Sequence, residues 1–336
     1  MLKKTHCLHI VLLALLFALS ASAEPKKIAV CVQSTRAETF WKKVYAGFEA
    51  AASEMGAKTS YYGLYDAETK NMPRYLEQVL TDMPDGLILS IPNVELLEDS
   101  IRKIVEAGIP VVAITSGYYE FATLGIKTFV GQDPDQAGRE AAERMVKAGV
   151  TKLLCIRDAN EDVAITRKIS GIAEVFNREG LNISVLTVRD FSPSTASSWI
   201  ATTLVIDREI DGVLALGGTT ALAAIRALEE RSLYGKIPFA TFDVSDALKE
   251  GISSSAILFA VSSQPFMQGY LAMSILAAPK KTDVRIFFDR LNKLSKHNFF
   301  PPGTMPYKSY QNPGMILYTG PIFITADNLS EQGVLQ

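Results

Sequence analysis

Histidine is almost missing from this chain of 336 residues. Only His6, His9 and His297 occur, and the first two lie in a segment whose composition marks it for removal. One remaining imidazole cannot build a multi-histidine metal site, and any Ser-His-Asp catalysis would have to pass through that residue alone. Excess positive charge is missing too: 34 Lys and Arg stand against 36 Asp and Glu, a net charge of −2, which argues against nonspecific nucleic-acid binding. Cysteine is scarce, with three in all. Cys7 belongs to the leader, while Cys31 and Cys155 sit inside the short β-like runs KIAVCVQ and KLLCIRD, where a thiol packs as a small buried hydrophobe and a bridge between two strand interiors is poorly placed.

Nucleotide and catalytic signatures are absent as well. No G-x-G-x-x-G follows the first β-like run, and no G-x-x-x-x-G-K-[ST], G-x-S-x-G, H-E-x-x-H or C-x-x-C occurs, which argues against the common nucleotide-binding, hydrolase, metalloprotease and redox classes. The expectation is therefore no cofactor, no metal and no catalytic residue. The nearest glycine cluster, Gly217-Gly218-Thr219-Thr220, reads first as a tight turn with a helix N-cap and second as an anion site at a helix N-terminus.

What is present is a folded globular composition, 48% hydrophobic and 21% charged, with a length that suggests about two domains. The N-terminus, MLKKTHCLHIVLLALLFALSASAEP, has a basic start at Lys3 and Lys4, an apolar core from Ile10 to Leu19 and the small residues Ala21-Ser22-Ala23. This pattern predicts a cleavable signal peptide over residues 1–23, since its apolar run falls short of the roughly 20 residues that span a bilayer. Cleavage removes two lysines and no acid, so the net charge moves from −2 to −4. No small-residue-Cys lipidation site follows the apolar run.

Past Pro25, short β-branched runs alternate with helical stretches, the pattern of parallel β-α-β units. Strands are expected at KIAVCVQ, DGLILSIP, IPVVAIT, KTFVG, TKLLCIR, SVLTVRD, DGVLALG, PFATFD and AILFAVS. The stretch WKKVYAGFEAAASEMG places Val44, Phe48, Ala51, Ala52 and Met55 on one helical face and stops at Gly56, and VELLEDSIRKIVEAG stops likewise at Gly108. The alternation runs twice, from Lys26 to about Asp133 and from about Pro134 to Ser263, which implies two similar α/β lobes. A helix QPFMQGYLAMSILAA, a surface loop around Pro301-Pro302-Gly303 and a β-like YTGPIFIT follow.

Open α/β sheets bind ligands at the C-terminal ends of their parallel strands. The residues there are Gln33 to Trp41, Asn93 and Thr115-Ser116 in the first half, and Arg157-Asp158, Phe191, Gly217-Gly218 and Asp243 in the second. Amides, hydroxyls and a carboxylate suit the hydroxyls of a sugar, and Phe40-Trp41 suits the apolar face of its ring. The same pair also reads as a hydrophobic anchor at the start of a helix, and Asp243 also reads as the N-cap of VSDALKEG.

The order and spacing of IAVCVQSTRAETFWKKVYAGFEAAASEMG, DGLILSIPN, GIPVVAITSG, VGQDPDQAGREAAERM, DGVLALGGTTALAAIRAL, FATFDVSDALKEGI and TGPIFITADN resemble the exported sugar-binding proteins of bacterial ABC importers, the ribose-binding-protein-like group of type I periplasmic binding proteins. The resemblance covers nearly the whole mature chain. It implies an α/β fold of two similar doubly wound parallel-sheet lobes joined by a three-segment hinge near Asp133-Pro134, Ser263-Gln264 and Thr319-Gly320. One lobe would comprise residues 24–133 with 264–318, and the other 134–263 with 319–336.

Carried over by position, the ligand residues fall on Gln33 or Ser34, Phe40, Trp41, Phe191 and Asp243, with the cross-over glutamine on Ser263 or Gln264; Asn93 joins the candidate set from its place at a strand end. Thr115-Ser116, Lys168 and Gly217 stand where ribose-binding relatives carry Asp-Arg, Arg and Asn. Those replacements remove two guanidinium forks and an amide, and they point away from ribose toward a smaller sugar, a polyol or a differently substituted ring. The function implied is capture of a neutral sugar or polyol in the periplasm by a monomer, and its delivery to an ABC transporter permease. The alternatives are a chemotaxis or two-component sensor's binding subunit and an exported carbohydrate-active enzyme. The repressors that share this fold carry an N-terminal DNA-binding motif where this chain has a leader, so no nucleic-acid partner is expected.

Overall fold

The computed structural model describes residues 24–33, 38–65, 68–159, 162–189, 192–278, 307–308 and 314–330. The expected signal peptide, Ser34, Phe191 and the proline-rich stretch lie outside them.

The first half of the chain alternates β1 (Lys27–Cys31), α1 (Thr39–Met55), β2 (Lys58–Tyr62), α2 (Met72–Asp82), β3 (Gly86–Leu89), α3 (Val94–Glu106), β4 (Val111–Ile114) and β5 (Thr128–Gly131). The second runs α4 (Pro134–Lys147), β6 (Lys152–Asp158), α5 (Val163–Arg178), β7 (Asn182–Val188), α6 (Pro193–Ile206), β8 (Gly212–Ala215), α7 (Gly218–Glu230), β9 (Phe239–Phe242), α8 (Asp246–Ser253) and β10 (Phe259–Ser262). Then come α9 (Pro265–Ala277), β11 (Tyr307–Lys308), β12 (Met315–Tyr318) and β13 (Ile322–Ile324).

Two sheets result. The first has the order β11-β12-β5-β4-β3-β1-β2 and the second β13-β10-β9-β8-β6-β7. Within them only β11 on β12 and β13 on β10 pair antiparallel. Strands β3, β4, β5, β8 and β9 are buried at every residue, as parallel strands covered by helices on both faces must be, which is why they read as near-continuous apolar runs with a threonine in β5 and in β9. Alternate residues of one strand feed opposite faces: Ile28 and Val30 pack with α1 and α9, and Ala29 and Cys31 with α2 and α3. Helix α1 stops where Gly56 turns left-handed at φ 67°, a conformation that costs a residue without Cβ little.

The chain crosses between the sheets three times: from β5 to α4, from β10 to α9 and from β12 to β13. The single β-like run expected over YTGPIFIT is thus two strands in different sheets, because one of these crossings lies inside it. Strand β2 was not expected, since KTSYY has no apolar run and lies at a sheet edge half exposed. Cys31 and Cys155 are buried free thiols in different sheets, and burial pushes both up to about 12.

Each lobe is braced by one close helix crossing. A Cβ on Gly269 of α9 would lie 2.0 Å from the Val44 carbonyl oxygen of α1, and one on Gly47 would lie 2.1 Å from that of Phe266. In the second lobe, a Cβ on Gly138 of α4 would lie 2.1 Å from the Lys168 carbonyl oxygen, and one on Gly171 of α5 would lie 2.2 Å from that of Asp135. Backbone cannot yield as a flexible side chain does. Gly269→Ala should therefore lower the unfolding free energy by about 1–3 kcal/mol in a denaturant titration, whereas an unchanged midpoint would mean that α1 and α9 separate at little cost.

Candidate functional site

Where the C-terminal ends of the two sheets face each other, a cavity of about 110 Å³ opens. Its lining combines Gln33 after β1, Phe40 and Trp41 from α1, Thr115 after β4 and Gln132 after β5 with Lys168 from α5, Gly217 before α7, Asp243 after β9 and Ser263 after β10. The strand ends noted in the sequence are thus brought to one place. Asp158 at the end of β6, Asp162 and Phe242 complete much of the polar and aromatic wall.

Several expected residues lie elsewhere or act otherwise. Asn93 does not line the cavity: its Oδ1 accepts from the Leu96 N–H at 3.0 Å and so caps α3. Ser116 lies behind the wall, fully buried. Of the two candidates for the cross-over position, Ser263 lines the cavity, while Gln264 stands at the N-cap of α9 with φ 51°. Asp243 is not a helix cap, because α8 begins at Asp246 with Ser245 at its N-cap. The aromatic pair is no flat platform: Phe40 and Trp41 meet edge-on, centroids 5.3 Å apart and planes at 84°. Trp41 is only 3% exposed and belongs to the core formed by α1 and α9, so its anchor reading prevails, although it also lines the cavity.

Three non-glycine residues at this edge take the left-handed conformation: Thr115 (φ 65°), Asp243 (φ 84°) and Gln264 (φ 51°). Such positions cost of order 1–3 kcal/mol each and persist where surrounding structure imposes them, most often at functional sites. The Thr115 hydroxyl is tied down, donating to Gln268 Oε1 at 2.7 Å, and Gln268 in turn donates Nε2–H to the Ser263 carbonyl at 2.9 Å.

Electrostatically the wall is governed by Asp243 and Lys168. Burial pushes Asp243 up to about 6, against the opposing pull of its hydrogen bond from the Val244 N–H, 2.7 Å, and of the Lys43 and Lys168 charges. Burial lowers the Lys168 ammonium below the ordinary lysine range, and Asp162, Asp243 and Asp158 work against that shift. Its Nζ lies 4.9 Å from the centre of the Phe242 ring, an arrangement that favours a cation. Gly218 has a spatial reason, since a Cβ there would come within 2.9 Å of Asp243 Oδ2.

Two acceptors on the wall are left over. Gln33 Oε1 and Gln132 Oε1 are buried and find no hydrogen-bond partner among the described residues, and Gln132 as a whole is 7% exposed. A buried acceptor costs about 1–3 kcal/mol when unsatisfied, so both are suited to a guest that brings O–H or N–H donors. Neither Gln132 nor Asp162 stood out in the sequence. Gln132 follows a strand as one polar residue before an Asp-Pro helix start, and Asp162 carries the ordinary signature of an N-cap.

Comparison with known proteins agrees with this architecture. Residues 28–281 match the periplasmic binding protein domain family. No curated protein matches the sequence. Among solved structures, a carbohydrate transporter from Acidothermus cellulolyticus in complex with myo-inositol superposes with a TM-score of 0.76 at 23% identity, over 93% of this chain and 100% of that one. An ABC transporter solute-binding protein from Agrobacterium vitis with bound D-fucose gives 0.72 at 20%, over 92% and 98%. A glucose-galactose binding protein from Geobacillus stearothermophilus gives 0.69 at 17%, over 91% and 99%. With the family match spanning most of the chain and two parallel-sheet lobes crossed three times by the backbone, this chain belongs to the periplasmic binding protein family and has its type I fold.

Proposed function

We propose that the protein is an exported solute-binding protein that takes a neutral sugar or polyol into the cavity between its lobes and presents it to the permease of an ABC transporter. The observation that carries this reading is the wall itself: two buried carbonyl acceptors, the Asp243 carboxylate and the aromatic residues Phe40, Trp41 and Phe242 converge on one small space. Such a set matches a ring that is apolar on its faces and hydroxylated at its rim. No arginine lines the cavity among the described residues, whereas a phosphate or dicarboxylate is held best by guanidinium forks. The myo-inositol and D-fucose in the related structures are neutral ring compounds of this kind.

The lobes divide at the three crossings, one built from 24–133 with 264–318 and the other from 134–263 with 319–336, and the leader over 1–23 directs the monomer to the periplasm. Capture needs no covalent step. A ligand that touches both lobes at once favours the form in which they are closed.

Calorimetric titration against myo-inositol, D-fucose, D-glucose, D-ribose, ribose 5-phosphate and a set of amino acids tests this. The tightest binder should be a neutral polyhydroxylated compound, with ribose weaker than it. A phosphate ester or an amino acid at the top of the ranking overturns the reading.

A further inference from the structure

The two lobes touch each other directly beside the cavity: Lys43 Nζ of α1 donates to the Val244 carbonyl at 2.9 Å, the Arg167 guanidinium of α5 lies 4.8 Å from the centre of the Tyr119 ring, and one further side chain, Asp162, makes several contacts at once. Asp162 belongs to the second lobe, where its Oδ1 accepts from the Ala164 N–H at 2.8 Å and caps α5. The same carboxylate reaches the first lobe: Oδ1 accepts from the Ser116 hydroxyl at 2.8 Å, and Oδ2 accepts from Gln33 Nε2–H at 3.0 Å. Next to it, the Val163 N–H donates to the Pro92 carbonyl at 3.0 Å, another bond between lobes. The start of α5 is thus docked on the ends of β1, β3 and β4.

The consequence for Gln33 is chemical. A carboxylate can only accept, so the Gln33 group that meets Asp162 must be its NH2. That NH2 also donates to Ser116 Oγ at 3.2 Å. Both of its hydrogens are thereby engaged, and the carbonyl, which has no partner among the described residues, is the half of the amide left over.

We infer that Asp162 is a positioning residue: it latches the two lobes to each other without help from a ligand, and it fixes the Gln33 amide so that an acceptor, not a donor, is offered to the guest. The second half of this inference rests on the reading of the cavity as the ligand site, and the first half does not. Charge-assisted hydrogen bonds of this kind are among the stronger polar contacts available, and here they are shielded between two lobes.

The test is made on ligand-free protein, so that its outcome is independent of which sugar binds. Nitroxide labels are placed on the exposed residues Glu95, in α3, and Ala247, in α8, and the distance between them is read by pulsed electron spin resonance; the two native thiols are buried. Wild type should show a closed-distance population without ligand. Asp162→Asn keeps the size of the side chain and an oxygen for the Ala164 N–H, yet turns an NH2 toward the Gln33 NH2. It should reduce the closed-to-open ratio about tenfold, and Asp162→Ala at least as much.

The double variant Asp162→Asn with Gln33→Glu restores a donor facing an acceptor, and its ratio should return to within about threefold of wild type. A cap lost from α5 would not be rescued by a change at residue 33, so recovery separates latching from mere folding. A wild type wholly open without ligand, single variants indistinguishable from wild type, or a double variant no better than Asp162→Asn would each overturn the inference. Failure of the sugar panel would leave these distances unaffected and would count against the proposed function alone.

Discussion

Replacing Trp41 with alanine should lower the unfolding free energy by about 3–5 kcal/mol, the range for deleting a large buried aromatic. The indole is 3% exposed and shares a core with Val44, Phe48, Met267 and Leu271, so its removal leaves a hole between α1 and α9. Those helices cannot close around it, because the Gly47 and Gly269 crossing already holds their backbones at minimum separation. The indole also forms part of the cavity wall, so the molecules that remain folded should bind their sugar more weakly. Denaturant unfolding and calorimetry on the same sample measure both effects. A stability loss under about 1 kcal/mol, the range of ordinary surface changes, would show that the ring is not held as part of the core.

Asp243→Asn should move stability and affinity in opposite directions. Burial pushes the carboxyl up to about 6 in the folded state from an ordinary aspartate value of 3.8, so between those values the native state holds a proton that the unfolded chain has released. Stability is then greatest below the unfolded pKa, falls as pH rises through the window from about 4 to about 6, and stays lower above it. At neutral pH the buried charge thus costs on the order of 1–3 kcal/mol. Asparagine removes that charge, retains an oxygen for the Val244 N–H and is at ease at the left-handed φ of this position, so the variant should be the more stable at pH 7 and lose the pH dependence between 4 and 6.

Binding should suffer instead. Hydrogen bonds from sugar hydroxyls to a charged acceptor are worth about 1.5–3 kcal/mol, and affinity of the wild type should rise as pH passes upward through about 6. An asparagine variant with wild-type affinity for the identified sugar would remove Asp243 from the binding set.

The double α/β architecture was legible because fully buried parallel strands leave short apolar runs, and GLIL, VVAI and GVLA are such runs. Trp41 was open to two readings in the sequence, a hydrophobic anchor at the start of the helix or a stacking partner for a ring, and its burial in the core decides for the anchor. What escaped reading depends on contacts between distant segments. Strand β2 has no apolar run to announce it. Gln132 and Asp162 look like a polar residue after a strand and an ordinary helix cap; only the approach of the second lobe to the first, which places Asp162 against Gln33 and Ser116, gives the second a further task. Asn93 illustrates the reverse case, a polar residue at the expected sheet edge whose side chain is consumed by its own helix.

The threefold crossing of the backbone also governs the order in which the molecule can be completed. A growing chain that has emerged through residue 263 already holds β6 to β10 and α4 to α8, lacking only β13 of the second sheet. The first sheet, although begun earliest, still waits for α9 and β12, which supply Met267, Leu271, Met273, Leu276 and Leu317 to its core. Contacts that join Ile28 to residues near 270 and 317 close very long loops, and such closures come late. The lobe that is made first therefore has no complete core until α9 and β12 emerge, whereas the second, short only of its edge strand β13, can fold as a nearly continuous unit before its partner has a core to dock against.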